Sequence, residues 1–163
     1  LLQRSMSHYS RARTRKFLYQ MLYAGTFSKV EDESFKDSFF SWVFTSELDE
    51  EYLNNMYTLI LENQSFLIHV VGKYAPKFEV ETIDLSSLIP IFIWVTEMLL
   101  LKEEIPAKVS INEAVEISKV YGDDSARKMV NGVLNKVLWD IEIIKKEFSD
   151  FHSDASSKII FKK

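Results

Sequence analysis

Six side chains near the start of the chain, Arg11, Arg13, Arg15, Lys16, Gln20 and Tyr23, are of the types that hold a nucleic acid. Guanidinium and ammonium groups neutralise phosphates, amides bond base edges, and phenol rings stack on unpaired bases. On a helical wheel of about 100° per residue, Arg13, Lys16, Gln20 and Tyr23 share one stripe opposite the apolar face. Arg11 and Arg15 lie on its flank, followed by Tyr19. A second set stands near the other end, where Lys128, Asn131 and Asn135 share a polar stripe and Lys136 lies across Gly132 from it. The same spacing also describes two hydrated helix faces with half-buried tyrosines. Residue types alone leave both readings open.

Charge is distributed in the same uneven way. Of 20 Lys and Arg, six fall in residues 1–30, which contain no acid; the other 14 face 24 Asp and Glu in the rest of the chain. A basic start on an acidic body suits an RNA-binding arm, a solvated helix start or a transit peptide. No cysteine is present, which excludes disulfides and thiolate metal sites and fits a reducing compartment. The three histidines, His8, His69 and His152, are too scattered to suggest a metal site. There is no Gly-rich phosphate loop, no helical His pair and no nucleophile motif with an adjacent base. Glu103-Glu104 and Asp123-Asp124 sit at expected turns and caps. The expectation is therefore no enzyme, no cofactor, no metal and no small-molecule substrate.

The elements that must position these residues are helices. Only four Gly and three Pro interrupt 163 residues, and apolar residues recur at three and four throughout. The first helix is expected from about Ser10 to Thr26, with Phe17, Leu18, Met21, Leu22 and Gly25 inward. A short second helix would use Phe35, Phe39, Trp42 and Val43. Others follow at Asp49–Glu62, Ser65–Tyr74 and Leu88–Lys102, with residues 76–87 as a linker. Leu88–Leu101 is the most apolar run, but Pro90, Thr96 and Glu97 break it well short of the roughly 20 residues that span a bilayer. Ser110-Ile-Asn-Glu113 has the spacing of a capping box for the sixth helix, which Gly122 ends. Asp123-Asp124-Ser125 then offers the N-cap of a seventh, whose stripe runs Ala126, Met129, Val130, Val133, Leu134, Val137, Leu138, Ile141, Ile144.

That stripe decides how KMVNGVLNKV is read. Asn-Gly between apolar residues is a strong hairpin signal, but a hairpin needs alternation and the spacing here is three and four on both sides of Gly132. The glycine is therefore helix interior, where it costs about 1 kcal/mol against alanine. A close approach of a backbone or a ligand would give it a reason.

Residues 105–137, IPAKVSINEAVEISKVYGDDSARKMVNGVLNKV, resemble the C-terminal signature of the NusB family. The Arg-Ala-Arg run leading to Gln20-Met21-Leu22-Tyr23 resembles its N-terminal one. The two blocks stand in the right order and cover about a third of the chain. The resemblance implies an all-α fold of about seven helices in two small packed bundles. It implies a bacterial, cytoplasmic transcription antitermination factor that binds boxA-type single-stranded RNA. The implied partners are the ribosomal protein NusE and the RNA polymerase antitermination complex, with no catalysis and no cofactor. RNA contacts are then implied for Arg11, Arg13, Arg15 and Tyr23 in the first block and for Lys128 and Asn131 in the last. The transit-peptide reading falls, because the basic segment runs into the first helix of the domain.

Departures from the family pattern are Met129 for the usual Phe, Asn135 for the usual Asp, and a fifth helix, IPIFIWVTEM, without the usual Arg and Tyr. Glu97 is the residue left there to face NusE. The expected organisation is a flexible arm at 1–9, a domain at 10–148 (bundles at about 10–76 and 85–148) and a loosely ordered tail at 149–163. Two rivals stand beside this reading. One is a helical protein–protein adaptor that has lost RNA binding. The other is a detached relative of the NusB-like domain preceding some RNA cytosine methyltransferases.

Overall fold

The computed structural model describes residues 2–28, 48–102, 104–152 and 158–162, with side chains from Arg11 onward. Among these residues the chain forms seven α-helices and no strand: α1 (Leu2–Gly25), α2 (Glu50–Glu62), α3 (Gln64–Tyr74), α4 (Leu85–Leu99), α5 (Ala107–Tyr121), α6 (Asp124–Trp139) and α7 (Ile141–Asp150). The short helix expected at 35–43 lies outside the described residues. No described helix is long and apolar enough to cross a membrane.

The apolar run of α4 makes it the central helix. Every residue from Ser87 to Glu97 is buried, with α5 and α6 packed against it and α1, α2 and α3 also touching it. One continuous core therefore joins the two halves of the molecule, filled by Trp94, Phe17, Phe66, Phe92 and Phe161. Helix α4 starts at Leu85, three residues before the expected Leu88, because the Asp84 carbonyl already accepts the amides of Ser87 and Leu88 at 2.9 Å. Pro90 consequently falls inside the helix, where it contributes no amide to the ladder.

Four other expectations are corrected. First, α1 begins at Leu2 rather than near Ser10, so the backbone of the expected arm is helical. Second, Ser110 does not cap α5. Pro106 holds that position and its carbonyl accepts the Ser110 amide at 3.1 Å. Ser110 and Glu113 instead turn toward other helices. Third, the long stripe ending at Ile144 spans two helices. The chain tightens at Asp140, whose amide reaches the carbonyls of Lys136 and Val137 and whose carboxylate accepts the Tyr74 hydroxyl at 2.8 Å. The stripe continues across that break because Ile144 still reaches the core.

Fourth, the tail is tied down. Phe161 is completely buried, edge-on to Phe92 with ring centroids 5.9 Å apart. The buried Gln64 amide serves this strap twice over. Its oxygen accepts the amides of Ile160 (2.7 Å) and Phe161 (3.0 Å), and its nitrogen donates to the Phe161 carbonyl (3.1 Å). The Lys162 amide then reaches the Gly25 carbonyl at 2.8 Å, at the end of α1.

Gly122 ends α5 as expected, but for a different reason. Its backbone is extended (φ −124°), so left-handed geometry is not what selects glycine. A Cβ there would stand 2.7 Å from the Ala126 Cβ and 2.8 Å from the Ser86 hydroxyl, too close for any side chain.

Candidate nucleic-acid interface

Helix α1 buries two adjacent faces. Phe17, Leu18, Met21 and Leu22 form the main one. The flank of Arg11, Arg15 and Tyr19, spaced one turn apart, forms the second, and each member meets a different partner.

Arg11 donates from Nε (3.1 Å) and an Nη (2.8 Å) to Asp49, and its guanidinium lies 4.3 Å from the centre of the Tyr52 ring. Asp49 also caps α2 by accepting the Tyr52 amide at 3.1 Å, and its own amide donates to Thr14 at 2.9 Å. Arg11 thus ties α1 to the start of α2 and is half-buried.

Arg15 is not a surface residue. It is 3% exposed and donates from Nε to Glu97 at 2.6 Å, with a further Nη contact at 3.5 Å and Glu113 at 3.9 Å. Glu97, expected to face a protein partner, is 2% exposed and also accepts the hydroxyls of Tyr52 and Ser110. Four helices, α1, α2, α4 and α5, therefore meet at one carboxylate. Burial, the largest single influence, would lower the Arg15 pKa; Glu97, Tyr52 and Glu113 together outweigh it and keep the guanidinium charged. Burial, reinforced by Glu97, raises the Tyr52 phenol well above its ordinary value, so it stays a donor. The expected contacts of Arg15 with RNA and of Glu97 with a partner are replaced by this buried pair. A burial cost this large is met only where the ions are paired and hydrogen-bonded.

Tyr19 completes the flank. Its ring stacks on Tyr121 at 4.2 Å and 7°, and burial first, then the neighbouring phenols, push its pKa up to about 12. The stack continues outward through Tyr23, 6.3 Å from Tyr19, to Phe27, 5.5 Å from Tyr23 and edge-on. Tyr23 is 45% and Phe27 67% exposed, so the ladder rises from the interior to solvent. Phe27 escapes a reading of the sequence because it lies just past the periodic run.

Of the expected polar stripe, Arg13 and Lys16 lie half-buried on the outer side of α1. Gln20 donates to the Tyr121 hydroxyl at 2.5 Å. That bond and the Tyr19 stack join α1 to the end of α5. Two residues on, Asp123 caps α6 by accepting the Ala126 amide at 2.9 Å. Tyr121 is therefore the structural link between the two sets of candidate residues.

On α6, Lys128, Asn131 and Asn135 are exposed as expected. Lys128 has a surface contact with Asp124 at 3.3 Å, of the kind that solvent largely screens. Asn135 donates to the backbone carbonyl (2.7 Å) and side-chain oxygen (3.2 Å) of Asn131. Gly132 has nothing within 4 Å of where a Cβ would stand, so no packed neighbour explains it. It floors a shallow groove of about 250 Å³ between α6 and the segment after α3. Lys77 and Phe78 face Lys128, Met129 and Lys136 across it, and Phe78 is 53% exposed. Lys77 and Phe78 fall within the expected linker and carry no helical pattern. The one available signal was an aromatic residue beside a lysine in a segment with no core periodicity. Because the space is open, Gly132→Ala is expected to stabilise α6 by about 0.5–1 kcal/mol, read as a higher urea midpoint with unchanged slope.

Among the described residues no group of three or more His, Asp or Glu is placed to hold a metal ion. The groove between α6 and the segment after α3 is shallow, cationic and aromatic, which suits an extended polymer.

Comparison with known proteins bears on the family and the fold. The profile of the NusB family matches residues 12–138. The transcription antitermination protein NusB of Caldicellulosiruptor saccharolyticus is 34% identical over 116 residues, covering 71% of this chain and 79% of that protein. The protein of the same name from Bacillus thuringiensis is 32% identical over 129 residues, covering 78% and 93%. The solved structure of NusB from T. maritima superposes with a TM-score of 0.66 at 25% identity, covering 84% of this chain and 91% of that one.

Proposed function

The chain belongs to the NusB family, and on that premise we propose that it is a transcription antitermination factor that binds boxA-type single-stranded RNA. The RNA lies across the outer side of α1, the Tyr23–Phe27 end of the aromatic ladder and the Lys128–Asn131 stripe of α6. One observation carries this reading. Cations, amides and exposed rings lie on two helices that Tyr121 links, through Gln20 and Tyr19 on one side and the start of α6 on the other. Arg13, Lys16 and Lys128 supply phosphate contacts, Asn131 a base edge, and Tyr23, Phe27 and Phe78 stacking surfaces. Arg15 and Glu97 act from inside, fixing the rotation of α1 and hence the direction in which Arg13 and Lys16 point.

NusE is the proposed protein partner, enlarging the RNA platform within the RNA polymerase antitermination complex in the cytoplasm. A gel-shift series with labelled boxA and scrambled RNA, each with and without NusE, tests the proposal. The expected result is tighter binding of boxA than of scrambled RNA, strengthened by NusE. Equal, weak binding of both RNAs with a retained NusE complex would instead favour the protein–protein adaptor.

A further inference from the structure

Trp139 closes α6, and its indole is 91% exposed, the most open of the large hydrophobic side chains described. Its place on the helix is informative. On a wheel of about 100° per residue it lies within about 20° of Lys128 and about 40° of Asn135. Gly132 falls within about 20° of the same line. Trp139 is therefore the far end of the stripe that Lys128 begins, about 16 Å along the axis at the usual rise per residue. A few extended nucleotides cover that distance.

The surroundings identify the class of ligand. The side chains nearest in sequence and on the stripe are Asn135, Lys136, Asp140 and Glu142, with Ile143 the one other exposed apolar residue of this stretch. A docking face for a folded protein is a contiguous apolar patch; one indole and one isoleucine among amides and charges is not. A flat ring beside a lysine and an amide is the combination that single-stranded nucleic acids use, the ring taking a base face and the cation its phosphate.

We propose that Trp139 is a base-stacking residue that extends the RNA site along α6, past the Gly132 groove, so that the bound RNA is longer than the α1 face and the groove alone require. This rests on the RNA-binding reading above. The stacked base can be any of the four, because every base offers a π-face.

Binding of two oligomers is compared by fluorescence anisotropy. One is boxA alone, and the other is boxA extended by several unpaired nucleotides at either end. The parent is expected to bind one extended form more tightly than boxA alone. Trp139→Ala is expected to lose that advantage, binding the extended form about 5- to 100-fold more weakly than the parent. Trp139→Phe should keep most of it. The thermal midpoint should not move, since the indole touches little of the protein. Parent-like binding of the extended RNA by Trp139→Ala overturns this proposal while leaving the RNA-binding reading intact. Loss of NusE binding with unchanged RNA binding overturns it in favour of a protein contact. Failure of the parent to bind either oligomer removes both readings together.

Discussion

Replacing Glu97 by alanine is expected to lower the unfolding free energy by roughly 3–5 kcal/mol, because it leaves the buried Arg15 charge uncompensated. Two hydroxyls, those of Tyr52 and Ser110, would also lose their acceptor. The cost arises from what is left behind and exceeds the net value of the intact ion pair. Removing charge and acceptors together is therefore expected to be far milder than removing Glu97 alone. A quadruple variant, Arg15→Leu, Glu97→Leu, Tyr52→Phe and Ser110→Ala, should recover most of the loss, since apolar replacement of a buried pair is often neutral or better. Urea unfolding of the three proteins measures this directly. An alanine variant as stable as the parent would show that the four helices do not depend on that carboxylate.

The second large effect is expected at the other end of the chain. Phe161→Ala removes a fully buried ring from the core, and such truncations cost about 3–5 kcal/mol. At about 2–4 °C per kcal/mol for a chain of this size, the melting temperature should fall by on the order of 10 °C. Gln64→Ala should act in the same direction. It unpairs the amides of Ile160 and Phe161 and the Phe161 carbonyl at once. The two changes act on one strap, so their combined effect should be less than additive. A melting temperature unmoved by Phe161→Ala would mean that the strap does not hold the core.

The parts of this molecule legible in its sequence are those governed by local period. The stripe of α6 placed Asn131-Gly132 inside a helix against a strong turn signal, and the structure has it there with Gly132 facing open space. The exposure of Tyr23, Lys128 and Asn131 followed from the same wheels. The parts that were not legible depend on partners distant in sequence. A wheel shows that Arg11, Arg15 and Tyr19 share a flank. It does not show that Asp49, Glu97 and Tyr121 stand opposite, 38, 82 and 102 residues away. The Ser110–Glu113 spacing imitated a cap because both residues are polar for a tertiary reason. The polar run from Ser153 to Lys158 concealed Phe161, whose buried ring helps to anchor the tail.

RNA binding by this protein turns on whether the outer side of α1 neutralises phosphates. The decisive measurement is affinity for a boxA oligomer at several salt concentrations, for the parent and for an Arg13→Glu, Lys16→Glu variant. Neither side chain belongs to the buried pair with Glu97, and urea unfolding of both proteins separates a loss of binding from a loss of fold. The expected result is sharply weaker binding by the variant, with a salt slope lower by roughly 0.7 for each single-strand phosphate that it no longer neutralises. An unchanged affinity and an unchanged slope would contradict this role for α1.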